Sequence, residues 1–521
     1  MPRRTHPRRQ QIVPAGLLRF MAPIFMIVIA LLVSVSTAQE STAPIQGWPG
    51  HARDPQHTST STVASQPLSV IHWQTPVDLD PPTGEIFIHY GSPLVTPAGT
   101  VIVPVKTKAD SFRVEAHDQS TGTVLWSQST DYTAPAAGFM PSFSPVLSSN
   151  RLYMPAGGGT VLVREAPDQA TGTPTRLVFY GAQNLKGNTQ VYKENVQINT
   201  PITADSAGNL YFGFIVLGAT PLNLQSGLAR ISASGQGSYV AAATAAANSS
   251  ISQVAMSCAP ALSNDGKTVY VGVTDTANGF GYLLALDSQT LKTVGRARLI
   301  DPSSGLNAGI SDSSSASPTV GPDGDVYYGV LENPFPRHND RGWLLHFNAA
   351  LTQVKIPGSF GWDDTPSIVS ASLVPSYQGT STYLLMSKYN NYAGIGTGDG
   401  DNKIAILDPN AGEPDPILPA TTVMNEVLTI KGVTPDPSWD QVFPGAVYEW
   451  CINTAAIDVP GGAVLANSED GNLYRWDLTT NSFPQKITLT SGIGEAYTPT
   501  VIGTDGTAFA INDAVLFALG Q

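Results

Sequence analysis

The apolar positions of this chain come in short runs bounded by turn residues. Thr100 to Val103, Asn209 to Phe212, Thr268 to Val271, Asp325 to Tyr328, Ala463 to Leu465 and Thr507 to Phe509 are rich in Val, Ile, Tyr and Phe. Each follows a glycine-bearing pair: Ala98-Gly99, Ala207-Gly208, Asp265-Gly266, Asp323-Gly324, Gly461-Gly462 and Asp505-Gly506. A turn pair between two short apolar runs predicts a β-hairpin.

The hairpins repeat. A small residue followed by Pro recurs at Ser92-Pro93, Ser144-Pro145, Thr200-Pro201, Ala259-Pro260, Ser317-Pro318, Thr365-Pro366 and Thr498-Pro499, and six of the eight copies have such a turn six or seven residues later. Thr454-Ala455-Ala456 reads as the same element without its Pro. The eight copies are separated by 52, 56, 59, 58, 48, 89 and 44 residues, a period that points to propeller blades. Third strands follow at Tyr282 to Asp287, Trp343 to Phe347, Lys403 to Asp408 and Asn472 to Asp477. The last unit ends after three strands' worth of chain, while Ser69 to Trp73 reads as a fourth strand lacking its first three. Joining the two completes a ring and hides both sheet edges. The predicted fold is all-β: an eight-bladed β-propeller of four-stranded antiparallel blades, the last closed by an N-terminal strand.

The run Ala116-His-Asp118-Gln-Ser-Thr121-Gly122-Thr-Val-Leu-Trp126 resembles the blade signature of the PQQ-type (quinoprotein-like) propeller proteins, with Ala116, Asp118, Thr121, Gly122 and Trp126 at that family's spacing. Asp118 and Thr121-Gly122 are expected to tighten the turn into the fourth strand, and Trp126 to pack against the neighbouring blade. The segment Trp48 to Thr58 is similar to the lead-in of exported members. The resemblance implies a quinoprotein dehydrogenase most directly, but such enzymes place adjacent cysteines over the quinone, and this chain has none. It has no Cys-x-x-Cys-His haem site either. PQQ is therefore disfavoured as a cofactor. A relative with a scaffolding role, the outer-membrane-assembly propeller lipoprotein, carries a lipid-bearing Cys that this chain lacks.

Composition fits that architecture. Only 13% of residues are charged, against roughly 25% in an ordinary domain, while 49 Gly and 41 Pro supply turns. Asp outnumbers Glu 29 to 11, as expected of turns rather than helix faces. The first 38 residues read as a signal peptide. Arg3, Arg4, Arg8, Arg9 and Arg19 form a basic region, Ile24 to Val35 an apolar run, and Ser36-Thr37-Ala38 a cleavage site. An uncleaved anchor is the alternative, and membrane contact is expected only in that case. Residues 39–68 are then a lead-in, and residues 69–521 the propeller with an insertion at about 410–450. Without the signal the chain carries 22 basic and 40 acidic side chains, a net charge of −18. Such a balance repels phosphate backbones, so nucleic acid is not an expected partner. A monomer, secreted or periplasmic, is expected.

No hydrolase, metalloprotease, P-loop or dinucleotide motif occurs, so no specific reaction can be read. Four features stand out. Asp399, Asp401 and Asn402 lie in a glycine-rich loop whose oxygens suit a hard cation, making calcium the candidate cofactor. Trp362, Asp363 and Asp364 precede an inner strand and are candidates for the channel mouth. Trp439, Glu449 and Trp450 belong to the long insertion and are candidates for the same place. Cys258 and Cys451 both approach the inner end of a first strand; they are either a disulfide across the mouth or two buried thiols. The functional expectation is a binding or interaction module for a protein or small molecule, supported by calcium. A hydrolase or lyase on sugars or lactones and a PQQ-dependent dehydrogenase are the alternatives.

Overall fold

The computed structural model describes residues 47–84, 86, 88–108, 111–135, 143–310, 316–494 and 496–521; the signal-peptide reading lies outside them. Eight sheets follow one another along the chain, seven of them with four or more strands. Blade 1 comprises Leu94–Val95, Thr100–Lys108, Ser111–Asp118 and Val124–Ser129. Blade 2 runs from Val146 to Leu177, blade 3 from Val196 to Ala241 and blade 4 from Gln253 to Arg298. Blade 5 has Thr319–Val320, Val326–Val330 and Trp343–Phe347, with its outer edge reduced to the bridges Leu344–Gly358 and Phe347–Val354. Blade 6 holds Ser367–Ser370, Tyr383–Tyr389, Lys403–Pro414 and Thr422–Lys431, its outer hairpin lengthened by part of the insertion. Blade 7 spans Ala456 to Thr488. In blade 8, Val501–Ile502, Ala508–Asn512 and Val515–Gly520 are completed by Val70–Pro76, antiparallel to Val515–Gly520. The ring is thus closed by an N-terminal strand.

The repeated residues have identifiable work. At the first turn of blade 4, Gly266 donates to the Ser263 carbonyl at 2.9 Å with φ of +68°, a left-handed conformation that glycine adopts without strain. In blades 5, 6 and 7 the hydroxyl that precedes the inner strand reaches the preceding blade. Ser317 Oγ accepts from Ala259 N (2.9 Å), Thr365 Oγ1 from Ser317 N (3.0 Å), and Thr454 Oγ1 donates to the Thr365 carbonyl (2.8 Å). Thr498 Oγ1 accepts from Tyr90 N at 3.2 Å, which joins blade 8 to blade 1.

Between blades the core is apolar and aromatic. In the signature segment, Asp118 Oδ1 accepts from Ser120 N, Thr121 N and Thr121 Oγ1 at 2.9–3.1 Å. Trp126 crosses to blade 2, where Nε1 donates to the Pro167 carbonyl at 2.8 Å and the Arg164 guanidinium lies 4.0 Å from its ring centre. Asp287 caps Gln289, Thr290 and its hydroxyl in the same manner.

The lead-in does more than introduce the blades. Residues 47–61 lie against the innermost strands as a belt. The amide two residues after each inner-strand proline donates to it in turn: Val95 to Trp48 O (2.9 Å), Leu147 to Pro49 O (2.7 Å), Leu262 to Pro55 O (2.7 Å), Val320 to Gln56 O (2.9 Å) and Ile368 to Thr58 O (3.0 Å). Ile457, two residues after the alanine that replaces the seventh proline, donates to Ser59 O (2.9 Å), and Thr60–Ser61 pairs parallel to the strand there. A polar backbone edge facing a narrow channel needs partners, and the belt supplies them for six of the eight blades.

Candidate functional site

The belt marks one end of the channel. Residues that precede the inner-strand prolines lie towards the other end, together with residues that follow the antiparallel second strands. Chemistry from distant parts of the sequence gathers there. His89, Asp363, Asp364, Glu449, Cys451 and Tyr497 come from the first group; Glu332, Asp340 and Glu469 come from the second, and Lys388 from the end of the second strand of blade 6.

Lys388 occupies the middle of this set. It is 1% exposed. Its Nζ lies 5.1 Å from the ring centre of Tyr497 and 5.6 Å from that of Phe360. Among the described residues no carboxylate comes within ion-pair range of it. A buried ammonium is costly unless its charge is compensated, and Asp340, Asp364 and Glu449 act on it electrostatically. The carboxyl groups around it are also perturbed. Asp364 accepts from Ser387 Oγ at 2.8 Å, and burial pushes it up to about 7 against the pull of Lys388. Burial, with Glu332 and Asp363 nearby, also raises Asp340 to about 7. His89 packs on Tyr497 with ring centres 4.2 Å apart and planes tilted by 38°, and burial lowers its basicity well below the ordinary histidine range.

Glu449, Cys451 and Glu469 form the densest group. Cys451 Sγ lies 3.2 Å from Glu469 Oε2 and 3.9 Å from Glu449 Oε2. The Glu449 amide donates to Glu469 Oε1 at 2.8 Å, which fixes that carboxylate. Burial first, and each carboxylate's acidic neighbours in addition, raise both above the ordinary range.

Other predicted residues lie elsewhere. Trp450 is 1% exposed and packs on Tyr474 and Phe483 in the core of blades 6 and 7. Trp439 packs on Phe443 and over Gly394. Trp362 is partly exposed beside Asp363. Cys258 and Cys451 do not form the disulfide offered as one alternative. Both are free and buried; Cys258 Sγ accepts from Gly272 N at 3.3 Å inside the blade 4 core, where burial pushes the thiol up to about 11. In the glycine-rich loop, Asp401 pairs with Lys403 (2.6 Å) and Lys431 (3.0 Å). Asp399 accepts from Asn391 Nδ2 (2.7 Å), while Asn402 Oδ1 accepts from Asn391 N and its Nδ2 donates to Val447 O. Two ammonium groups stand where a cation would need to sit, so the calcium expectation at this loop gains no support from the geometry. A separate apolar recess of about 310 Å³ lies at the belt end, lined by Pro49, Pro55, Val95, Pro97, Leu147 and Pro167.

Sequence reasoning missed Lys388, Asp340, Glu469, His89 and Tyr497. Their common signal is positional: each stands just before an inner-strand proline, or at or just after the end of a second strand.

The comparisons with known proteins agree with the fold. No protein-family profile matches the chain, and no curated protein matches it. Among solved structures, it is similar to a europium-containing methanol dehydrogenase at 11% identity and a TM-score of 0.55, with 89% of each chain covered. A quinohemoprotein alcohol dehydrogenase from Comamonas testosteroni is similar at 12% identity and a TM-score of 0.50, with 92% of this chain and 81% of that one covered. The chain shares the eight-bladed β-propeller fold of these structures.

Proposed function

We propose that this protein is an exported binding module, whose ligand is a small polar molecule with an anionic group seated at the open channel mouth. The observation that carries the reading is Lys388, buried to 1% exposure with two ring faces near its ammonium and the acidic groups of Asp340, Asp364 and Glu449 acting on it. Binding sites are typically concave, with a few convergent polar groups whose ionisation is perturbed. The carboxyl groups of Asp340, Asp364 and Glu449 offer hydrogen-bond partners for hydroxyl or amine groups of the same ligand. The belt lines the inner strands at one end, and the reading places the ligand at the other.

The test is a thermal-shift screen of small sugar acids, amino acids and hydroxy acids on the mature chain, repeated on Lys388→Met. A true ligand at a hundred times its Kd stabilises by about 2.7 kcal/mol. The shift is expected in the parent and absent in the variant; an equal shift in both overturns the assignment.

A hydrolase or lyase acting on sugars or lactones is the second reading, favoured by the facing Glu449 and Glu469 carboxyl groups as an acid–base pair. Turnover lost in Glu469→Gln with ligand binding retained supports it. The alcohol oxidation in the names of two structural neighbours is not carried over. The fold alone does not bring it, and the residues present do not fit a quinone site of that type: the two cysteines are not adjacent, and Cys258 is enclosed in a blade core.

A further inference from the structure

We infer that Glu449, Cys451 and Glu469 form a site for one divalent ion of the zinc class, with a coordination position left open towards Lys388. The three donor atoms lie within 4.8 Å of one another. On a tetrahedral zinc ion a thiolate sulfur and a carboxylate oxygen stand about 3.5 Å apart; the observed separations of 3.2 and 3.9 Å bracket that spacing.

The backbone prepares this arrangement. Glu449 and Cys451 are two residues apart on an extended segment, so both project to the same side. Glu469 enters from the turn after Ala463–Asn467. Its Oε1 is held by the Glu449 amide at 2.8 Å, which leaves Oε2 aimed at the thiol. Fixing one carboxylate oxygen through a hydrogen bond is how ligands of metal sites are oriented. Glu449 has no hydrogen-bond donor other than the thiol among the described residues.

The donor set selects the ion. Calcium and magnesium take oxygen ligands only, whereas a thiolate with two carboxylates suits zinc or cobalt. Three protein donors leave a fourth position, as in sites that hold an exchangeable ligand. Lys388 is the independent observation pointing to that ligand. Its buried ammonium acts electrostatically on Glu449, so an anion held at the open position would come under the same positive charge.

The experiment uses the untagged mature chain, freed of metal by chelator and titrated with Co²⁺. One equivalent is expected, with a near-ultraviolet thiolate-to-cobalt charge-transfer band that Zn²⁺ abolishes. Cys451→Ser removes the band, Glu469→Gln weakens binding by about tenfold or more, and Cys258→Ser leaves both unchanged. Each variant is first checked for the parent's circular dichroism. If Cys451→Ser does not fold, the double substitution Glu449→Gln with Glu469→Gln is the deciding variant. Absence of the band in the parent overturns the site, as does a band that survives Cys451→Ser or, failing that, the double substitution. The readout is independent of the small-molecule screen, so either reading can fail alone.

Discussion

Trp73 Nε1 donates to the Gln119 carbonyl at 2.9 Å, and its ring stacks on His117 with centres 5.5 Å apart. Trp126 makes the same bond to Pro167 in blade 2, with Arg164 over its ring. The N-terminal strand therefore closes the ring with the same interblade clamp that an ordinary fourth strand uses. Trp73→Ala is expected to cost about 2–3 kcal/mol, from lost ring packing and one lost hydrogen bond. Trp73→Phe should retain most of the packing and cost about 1 kcal/mol. Urea midpoints of the three proteins check this; an unchanged midpoint in Trp73→Ala contradicts the clamp.

The belt makes its own prediction. Amides of Val95, Leu147, Leu262, Val320, Ile368 and Ile457 should exchange hydrogen slowly, although they face the channel. Asp54 holds the belt's own turn by accepting from Thr58 N (3.0 Å) and Thr58 Oγ1. Asp54→Ala should therefore speed exchange at Ile368 and Ile457 while leaving central strands such as Val269 to Val273 protected. Uniform acceleration, or none, would argue against a belt that supports the inner strands.

Two belt histidines couple stability to pH. Burial lowers His51 to about 3 and His57 to about 4, both below the unfolded value of about 6.5. The unfolded chain takes up their protons first, so the stability they confer is full above pH 6.5 or so and drains as pH falls towards 4. Each loses up to about 1.4 kcal/mol per pH unit in that window. The raised carboxyl groups of Asp340 and Asp364 act in the opposite sense over the same range, so the discriminating quantity is a difference. Between pH 7 and 5 the parent should lose more stability than His51→Gln/His57→Asn, in which Asn suits the left-handed backbone at 57 (φ of +62°). Parallel melting profiles would falsify this account.

Thiol chemistry gives a direct check of the cysteines. Denatured without reductant, the chain should titrate as two thiols, since Cys258 and Cys451 form no disulfide. Zero thiols with an intact monomer mass would indicate the bridge that the structure lacks.

The repeat that defines the fold could be read in the sequence because each blade repeats the same local solution: a hydroxyl and Pro open the inner strand, and a glycine turn closes it. Ser317-Pro318 followed by Asp323-Gly324 carries all of this within eight residues. The belt could not be read in the same way, because its partners are backbone amides, which leave no side-chain signature. The site was half visible. Asp363 and Asp364 were found by their place before an inner strand and Glu449 by its place in the long insertion; Lys388, near the end of a second strand, and Glu469, after one, join them only when the ring closes. In the Asp401 loop alternating acidic residues look alike in sequence whether a cation or Lys403 and Lys431 neutralise them, and the structure pairs Asp401 with both lysines.

The most direct measurement is a crystal structure of the mature protein with a compound that emerges from the screen. The account predicts density at the open mouth, with an anionic group of the ligand in contact with Lys388 Nζ and its polar groups against Asp340, Asp364 or Glu449. Density in the apolar recess beside Pro49 and Pro167 instead, or on the loop around Asp399, with Lys388 still packed against Tyr497 and Phe360, would contradict it.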